Sequence, residues 1–218
     1  RGGVKMPKEK RNDPIERRNF RVTELRTITD DNGLRHIVGY AAVFNTLSED
    51  LGWFREKIDP GAFTETIIND DIRALWNHNS DFVLGRNKSG TLTLSEDAHG
   101  LKIDIAPPDT QWARDLMISI DRGDVDQMSF GFETLSDRWE TVDKQEIRTL
   151  IKAKLYDVSP TTFPAYPDTE VGLRSLEQYR KNAAPNGDDI RGGSDSLSLL
   201  KEEDKVYQKI KGIKEATS

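Results

Sequence analysis

The stretch Asp126-Gln127-Met128-Ser129-Phe130-Gly131-Phe132 constrains this chain more than any other. Met128, Phe130 and Phe132 alternate with Ser129 and Gly131, the period of two that a pleated strand imposes. The bulky residues therefore share one face and need a core, while the other face carries a small hydroxyl and a bare Cα. That face leaves room for another group, and a substrate backbone is expected there, since Gly often marks close backbone approach. Taken alone, such a stretch is more often a buried strand whose Ser bonds a neighbouring carbonyl.

The segments around it are also short and strand-like. Phe20 to Thr29 and Arg35 to Phe44 flank Asp30-Asp31-Asn32-Gly33, and Asn-Gly between two such runs is a hairpin signal. Ile58-Asp59-Pro60-Gly61 turns the chain into a short helix, Ala62 to Ile68, followed by a strand from Ile72 to Trp76 and then by His78. Thr91 to Leu94 and Leu101 to Ala106 read as further strands, separated by a turn that holds His99. Thr110 offers an N-cap to a helix with Trp112, Leu116 and Ile120 on one face. Met128 to Leu135, Trp139 to Val142 and Ile147 to Lys154 read as strands of an antiparallel sheet that Leu155 to Ser159 closes. The regular spacing of short strands predicts a small barrel or sandwich.

Composition removes several chemistries. The 218 residues include no Cys, so disulfides, thiolate metal sites and cysteine catalysis are excluded, which fits a reducing compartment. His36, His78 and His99 are the three histidines, and none shows metal-ligand spacing, so no metal or other cofactor is expected. No run is long and apolar enough to suggest a membrane span. Residues 1–22 carry eight Lys/Arg against three Asp/Glu and residues 177–218 carry eight of each, which leaves an acidic middle. A basic arm of this kind is more often solvated chain than a nucleic-acid contact.

A serine hydroxyl becomes a nucleophile only when a base takes its proton and a third group orients that base. Ser129 is the candidate nucleophile. His78 is the candidate base, since it ends a strand and sits between Asn77 and Asn79, whereas His99 lies in a turn. Asp157, Asp126 and Glu133 are the candidate acids, and spacing alone does not choose among them. Leu155 and Val158 read as buried, so Asp157 would be partly desolvated and would need a donor such as an imidazole N–H. An order of His, Ser, acid, with Gln127 in place of the first Gly of Gly-x-Ser-x-Gly, is neither an ordinary α/β-hydrolase nor a chymotrypsin-like protease.

Five segments in order resemble the prohead (capsid maturation) serine proteases of tailed phages. They are Gly39-Tyr40-Ala41-Ala42-Val43-Phe44, Asp59-Pro60-Gly61-Ala62-Phe63, Trp76-Asn77-His78-Asn79 with Leu84-Gly85-Arg86, Met128-Ser129-Phe130-Gly131-Phe132, and Val158-Ser159 with Phe163-Pro164-Ala165-Tyr166-Pro167. That family is related to herpesvirus assemblin, so the resemblance implies a mainly β, α+β fold, a small antiparallel β-barrel surrounded by helices. It implies a serine endopeptidase that cleaves scaffold and capsid-protein segments, and itself, inside the immature capsid in the host cytoplasm. The family's histidine falls on His78 and its serine on Ser129. Asp157 stands where the family usually has Glu, and the resemblance makes it the third member.

The organisation expected is a flexible basic arm over 1–19, a protease domain over 20–181, a Gly-, Asn- and Asp-rich linker over 182–194 and an amphipathic helix over 195–218. Val171 to Lys181 is expected to be a further helix at the end of the domain. The partners expected are the major capsid protein and the scaffold protein as substrates, with a homodimer left open and neither membrane nor nucleic acid anticipated. The competing reading is a catalytically inactive, scaffold-like capsid assembly protein.

Overall fold

Asp30 closes the predicted hairpin: its carboxylate accepts the Asn32 N–H at 3.0 Å and the Leu34 N–H at 2.7 Å. In the computed structural model, which describes residues 15–21, 24–51 and 54–163, that turn joins β2 (Arg26–Thr29) to β3 (Arg35–Val43). β8 (Gly100–Ile105) pairs with β3, and β7 (Leu92–Glu96) with β8, giving a four-stranded antiparallel sheet in the order β2-β3-β8-β7.

The second sheet is built on two long strands, β9 (Gln127–Val142) and β10 (Gln145–Thr161). They are continuous, so the separate short strands read from the sequence merge. Asp143 and Lys144 make the tight turn between them, both with positive φ, the backbone that two-residue hairpins require. β1 (Glu16–Arg21) lies beside β9. On the far side, β10 pairs in parallel with β4 (Phe54–Ile58) near its start and with β5 (Arg73–Trp76) near its end, and β6 (Asn79–Arg86) follows β5 as a hairpin. Phe63, Phe130, Phe132, Ile37, Leu101, Ile103 and Ile105 are among the core residues, with Phe63 set edge-on to Phe130 at 5.4 Å.

Three expectations change. The sheets are curled into a half-barrel, and the described residues carry only two α-helices, α1 (Thr64–Asn69) and α2 (Gln111–Asp121), so the strands are not surrounded by helices. The described connections are mostly short turns. Only the link from β8 to β9 holds a helix of three turns, and it buries Leu116 and Ile120 as the periodicity predicts. Nor is the larger sheet wholly antiparallel, because the 17-residue β10 is long enough to serve β4 and β5 in turn. Finally, the run Phe20 to Thr29 divides between two sheets, and β4 and β6 were not read as strands at all. The expected helix over 171–181, the linker and the terminal helix lie outside the described residues, as does most of the basic arm.

Buried charge sits where β1 and β4 were not read from the sequence. Glu56, on the inward face of β4, is 2% exposed and pairs with Arg18 of β1 and Arg148 of β10. Arg148 also donates to Glu16 at 2.8 Å, to Asp137 at 2.8 Å and to Thr134 at 2.6 Å, so a single side chain ties β1, β4, β9 and β10 together. Hydrophobic periodicity is lost in β1, where Glu16 and Arg18 are the buried positions, and broken in β4, where Glu56 stands between the buried Phe54 and Ile58. Burial raises the Glu16 carboxyl, but the Arg148 hydrogen bond and the charges of Arg148 and Arg18 outweigh it and hold it below its ordinary 4.5.

Two outcomes follow. Arg148→Ala leaves Glu16 and Glu56 with Arg18 as the cation bonded to both, and is expected to lower unfolding free energy by about 3 to 5 kcal/mol in denaturant titrations. An unchanged midpoint and slope would refute the cluster's role. Because the folded pKa of Glu16 is depressed, its stabilisation is complete above 4.5 and is lost as pH falls through the lower folded value. Glu16→Gln should therefore lose less stability than the parent between pH 5 and pH 3, and an equal loss would exclude Glu16 from the acid response.

Candidate active site

The β5–β6 hairpin turns on two residues, Asn77 and His78, with φ of 54° and 57°. Left-handed backbone at both positions matches the right-handed twist of the flanking strands, and Asn accepts it more readily than most residues. The turn is fastened to the end of β10. The Asn77 N–H donates to the Pro160 carbonyl at 3.0 Å, and the Asn77 side-chain oxygen accepts the Thr162 N–H at 3.0 Å. Trp76 packs edge-on against Phe82 of β6, and Phe82 in turn against Trp112 of α2.

This places the His78 ring, 10% exposed, between two polar groups. Its Nε2 lies 2.6 Å from Ser129 Oγ and its Nδ1 lies 2.6 Å from Asp157 Oδ1. An ionised carboxylate only accepts, so Nδ1 carries the proton and donates to Asp157, which leaves Nε2 to accept the Ser129 O–H. A hydroxyl, an imidazole and a carboxylate thus form one continuous relay, the arrangement that can draw a proton off Ser129 and stabilise the imidazolium that results.

A β-bulge carries Asp157 into this relay. Leu155 pairs with Phe132, but the next pair is Asp157 with Gly131, so Tyr156 is the extra residue. Residues directly opposite one another share a face of the sheet. Without the bulge Asp157 would oppose Phe130 and point into the core. With it, Leu155 and Val158 both stay buried against Phe132 and Phe130, while Asp157 crosses to the face of Ser129. A Cβ on Gly131 would run into Asp157 Oδ2. The room left by Gly131 is therefore taken by the acid, which corrects the expectation of a substrate backbone over that position.

Of the three carboxylates left open by spacing, the structure brings Asp157 to the histidine. Glu133 accepts the Tyr156 O–H at 2.9 Å, and Asp126 stands half-buried just ahead of β9. His36 bonds Asp104 at 2.6 Å in the other sheet, and His99 is exposed with its ring against Tyr40. Among the described residues no group of three His, Cys, Asp or Glu is arranged to hold a metal.

Two neighbours of the relay were not singled out from the sequence. Ser159, opposite Ser129 in the ladder and fully buried, donates to Asp157 Oδ1 at 2.7 Å. The period-two row Asp157, Ser159, Thr161 would have placed it on the right face. Asn77 fastens the turn, and its signal was its adjacency to His78. Ser129 is itself fully buried.

The family model described as caudovirus prohead serine protease matches residues 22–182. A protein named prohead protease, from Enterobacteria phage HK97, is 30% identical over 163 residues, covering 73% of this chain and 67% of that protein. No solved structure matches the chain. The family match takes in every residue of the relay and most of the chain, and this protein therefore belongs to the caudovirus prohead serine proteases, a family of proteases of phage capsid maturation.

Proposed function

We propose that the chain is a serine endopeptidase that cleaves segments of the scaffold protein and the major capsid protein, and its own chain, within the prohead in the host cytoplasm. The observation that carries this reading is the unbroken relay from Ser129 through His78 to Asp157, with both links at 2.6 Å. The family match supports capsid proteins as the substrate class. Self-cleavage is proposed within residues 182–194, where Gly, Asn, Asp and Pro predominate over apolar residues.

The reaction is acyl transfer to water. His78 Nε2 takes the Ser129 proton as Oγ bonds to the peptide carbonyl carbon, and the carbonyl π electrons move onto oxygen. Collapse of that adduct breaks the C–N bond, and the amine leaves with the proton from Nε2. A water molecule then repeats the sequence on the ester and restores Ser129. Throughout, Asp157 accepts the Nδ1–H, keeps the ring turned toward Ser129 and stabilises its cationic form. No cofactor enters any step.

Incubating the purified chain with its capsid and scaffold proteins tests the reading. Ser129→Ala, which removes one oxygen and adds no bulk, should fold with an unchanged melting temperature and produce no fragments of capsid protein, scaffold or itself. Unchanged cleavage by the folded variant would exclude Ser129 as nucleophile, and a parent protein that cuts nothing would favour an inactive scaffold-like component. Asp157→Asn should fold yet lose activity by up to roughly 10⁴-fold, because the amide can hold the wrong tautomer of the ring. Asp126→Asn should change the rate little, and the reverse ranking would transfer the third role to Asp126.

A further inference from the structure

Asp157 Oδ1 accepts two hydrogen bonds, one from His78 Nδ1–H and one from Ser159 Oγ–H, while Oδ2 sits against the bare Cα of Gly131. We infer that Ser159 is a positioning residue of the catalytic relay: it acts through Asp157, fixing the rotation of the carboxylate so that Oδ1 faces the imidazole. The inference rests on the peptidase reading above and adds a residue that this reading does not use.

Three features support it. Ser159 is fully buried and lies opposite Ser129 in the ladder, so its hydroxyl is on the working face of the sheet and not in the apolar core. Its hydrogen bond is with the acid that contacts the base, and it is charge-assisted, the stronger class of such bonds. Ser159 is the donor from its own strand to Oδ1, the oxygen that faces the imidazole, while Oδ2 is set against Gly131. A carboxylate free to rotate would offer Nδ1–H a poorer acceptor, and the ring would lose its fixed direction toward Ser129. The cost would fall on the chemical step. Substrate binding would be unaffected, because the Ser159 hydroxyl is engaged by the Asp157 carboxylate.

The experiment is a kinetic double-mutant cycle on the full chain, read with a fluorogenic peptide that spans a mapped scaffold cleavage site. Ser159→Ala is expected to lower kcat by about 10- to 100-fold, the range for loss of a hydrogen bond to a charged group, with KM unchanged. On an Asp157→Asn background the same change should cost nothing further, since no carboxylate remains to be oriented. A kcat within twofold of the parent, or equal losses on both backgrounds, would overturn the inference, the second result marking Ser159 as structural only. If Ser159→Ala does not fold, Ser159→Cys keeps the volume with a much weaker donor and must show the same pattern for the inference to stand. Absence of Ser129-dependent turnover in the parent would instead defeat the peptidase reading, so the two failures are told apart.

Discussion

The pairing register of β9 against β10 is the constraint on which the site depends. Side chains alternate faces along a strand, so a slip of one residue would exchange the core face for the working face. One face of this ladder carries Met128, Phe130, Phe132, Leu155 and Val158 into the core, and the other carries Ser129, Asp157 and Ser159. Both sets are satisfied together only because Tyr156 is extruded as a bulge between them. The bulge is thus part of what brings Asp157 to the histidine.

Buried charge holds that register. Arg148 on β10 bonds Asp137 and Thr134 on β9, and it reaches through Glu16 and Glu56 to β1 and β4. A slip would leave these ions buried without partners, at several kcal/mol each. Well-packed apolar residues of similar volume are often as stable as a buried ion cluster or more so, and the cluster is better understood as specifying one pairing than as adding stability. Its hydrogen bonds demand particular partners, whereas an apolar contact accepts any neighbour of suitable size.

His78 is positioned at some conformational cost. His78 and Asn77 both occupy left-handed backbone, which non-glycine residues avoid. The price is met by bonds to Pro160 and Thr162 and by the aromatic contacts that run from Trp76 to Trp112. What this achieves is a short connection. Because β5 runs parallel to the end of β10, a two-residue turn at its tip is enough to bring an imidazole over a carboxylate two strands from the sheet edge.

Much of this was legible in the sequence. Period-two alternation marked the serine strand and its two faces, Asn-Gly marked the first hairpin, and the periodicity from Trp112 to Ile120 marked α2. His78 and Ser129 could be singled out from local context and family likeness. Legibility failed where buried positions are ionic, as with Glu16 and Arg18 in β1 and with Glu56 between Phe54 and Ile58 in β4, and where β6 is largely polar, because hydrophobic periodicity detects only apolar burial. The sequence by itself determined which residue types were present and the faces along each strand, since alternation is local geometry. It even carried the trace of the bulge, in two buried apolar residues at 155 and 158 whose odd spacing no regular strand allows. Only the tertiary structure decided that Asp157, and not Asp126 or Glu133, faces the histidine, and that Ser159 stands behind it. Those choices depend on register between strands distant in the chain, and register is set by pairing, bulge and buried charge acting together, none of which a single strand contains.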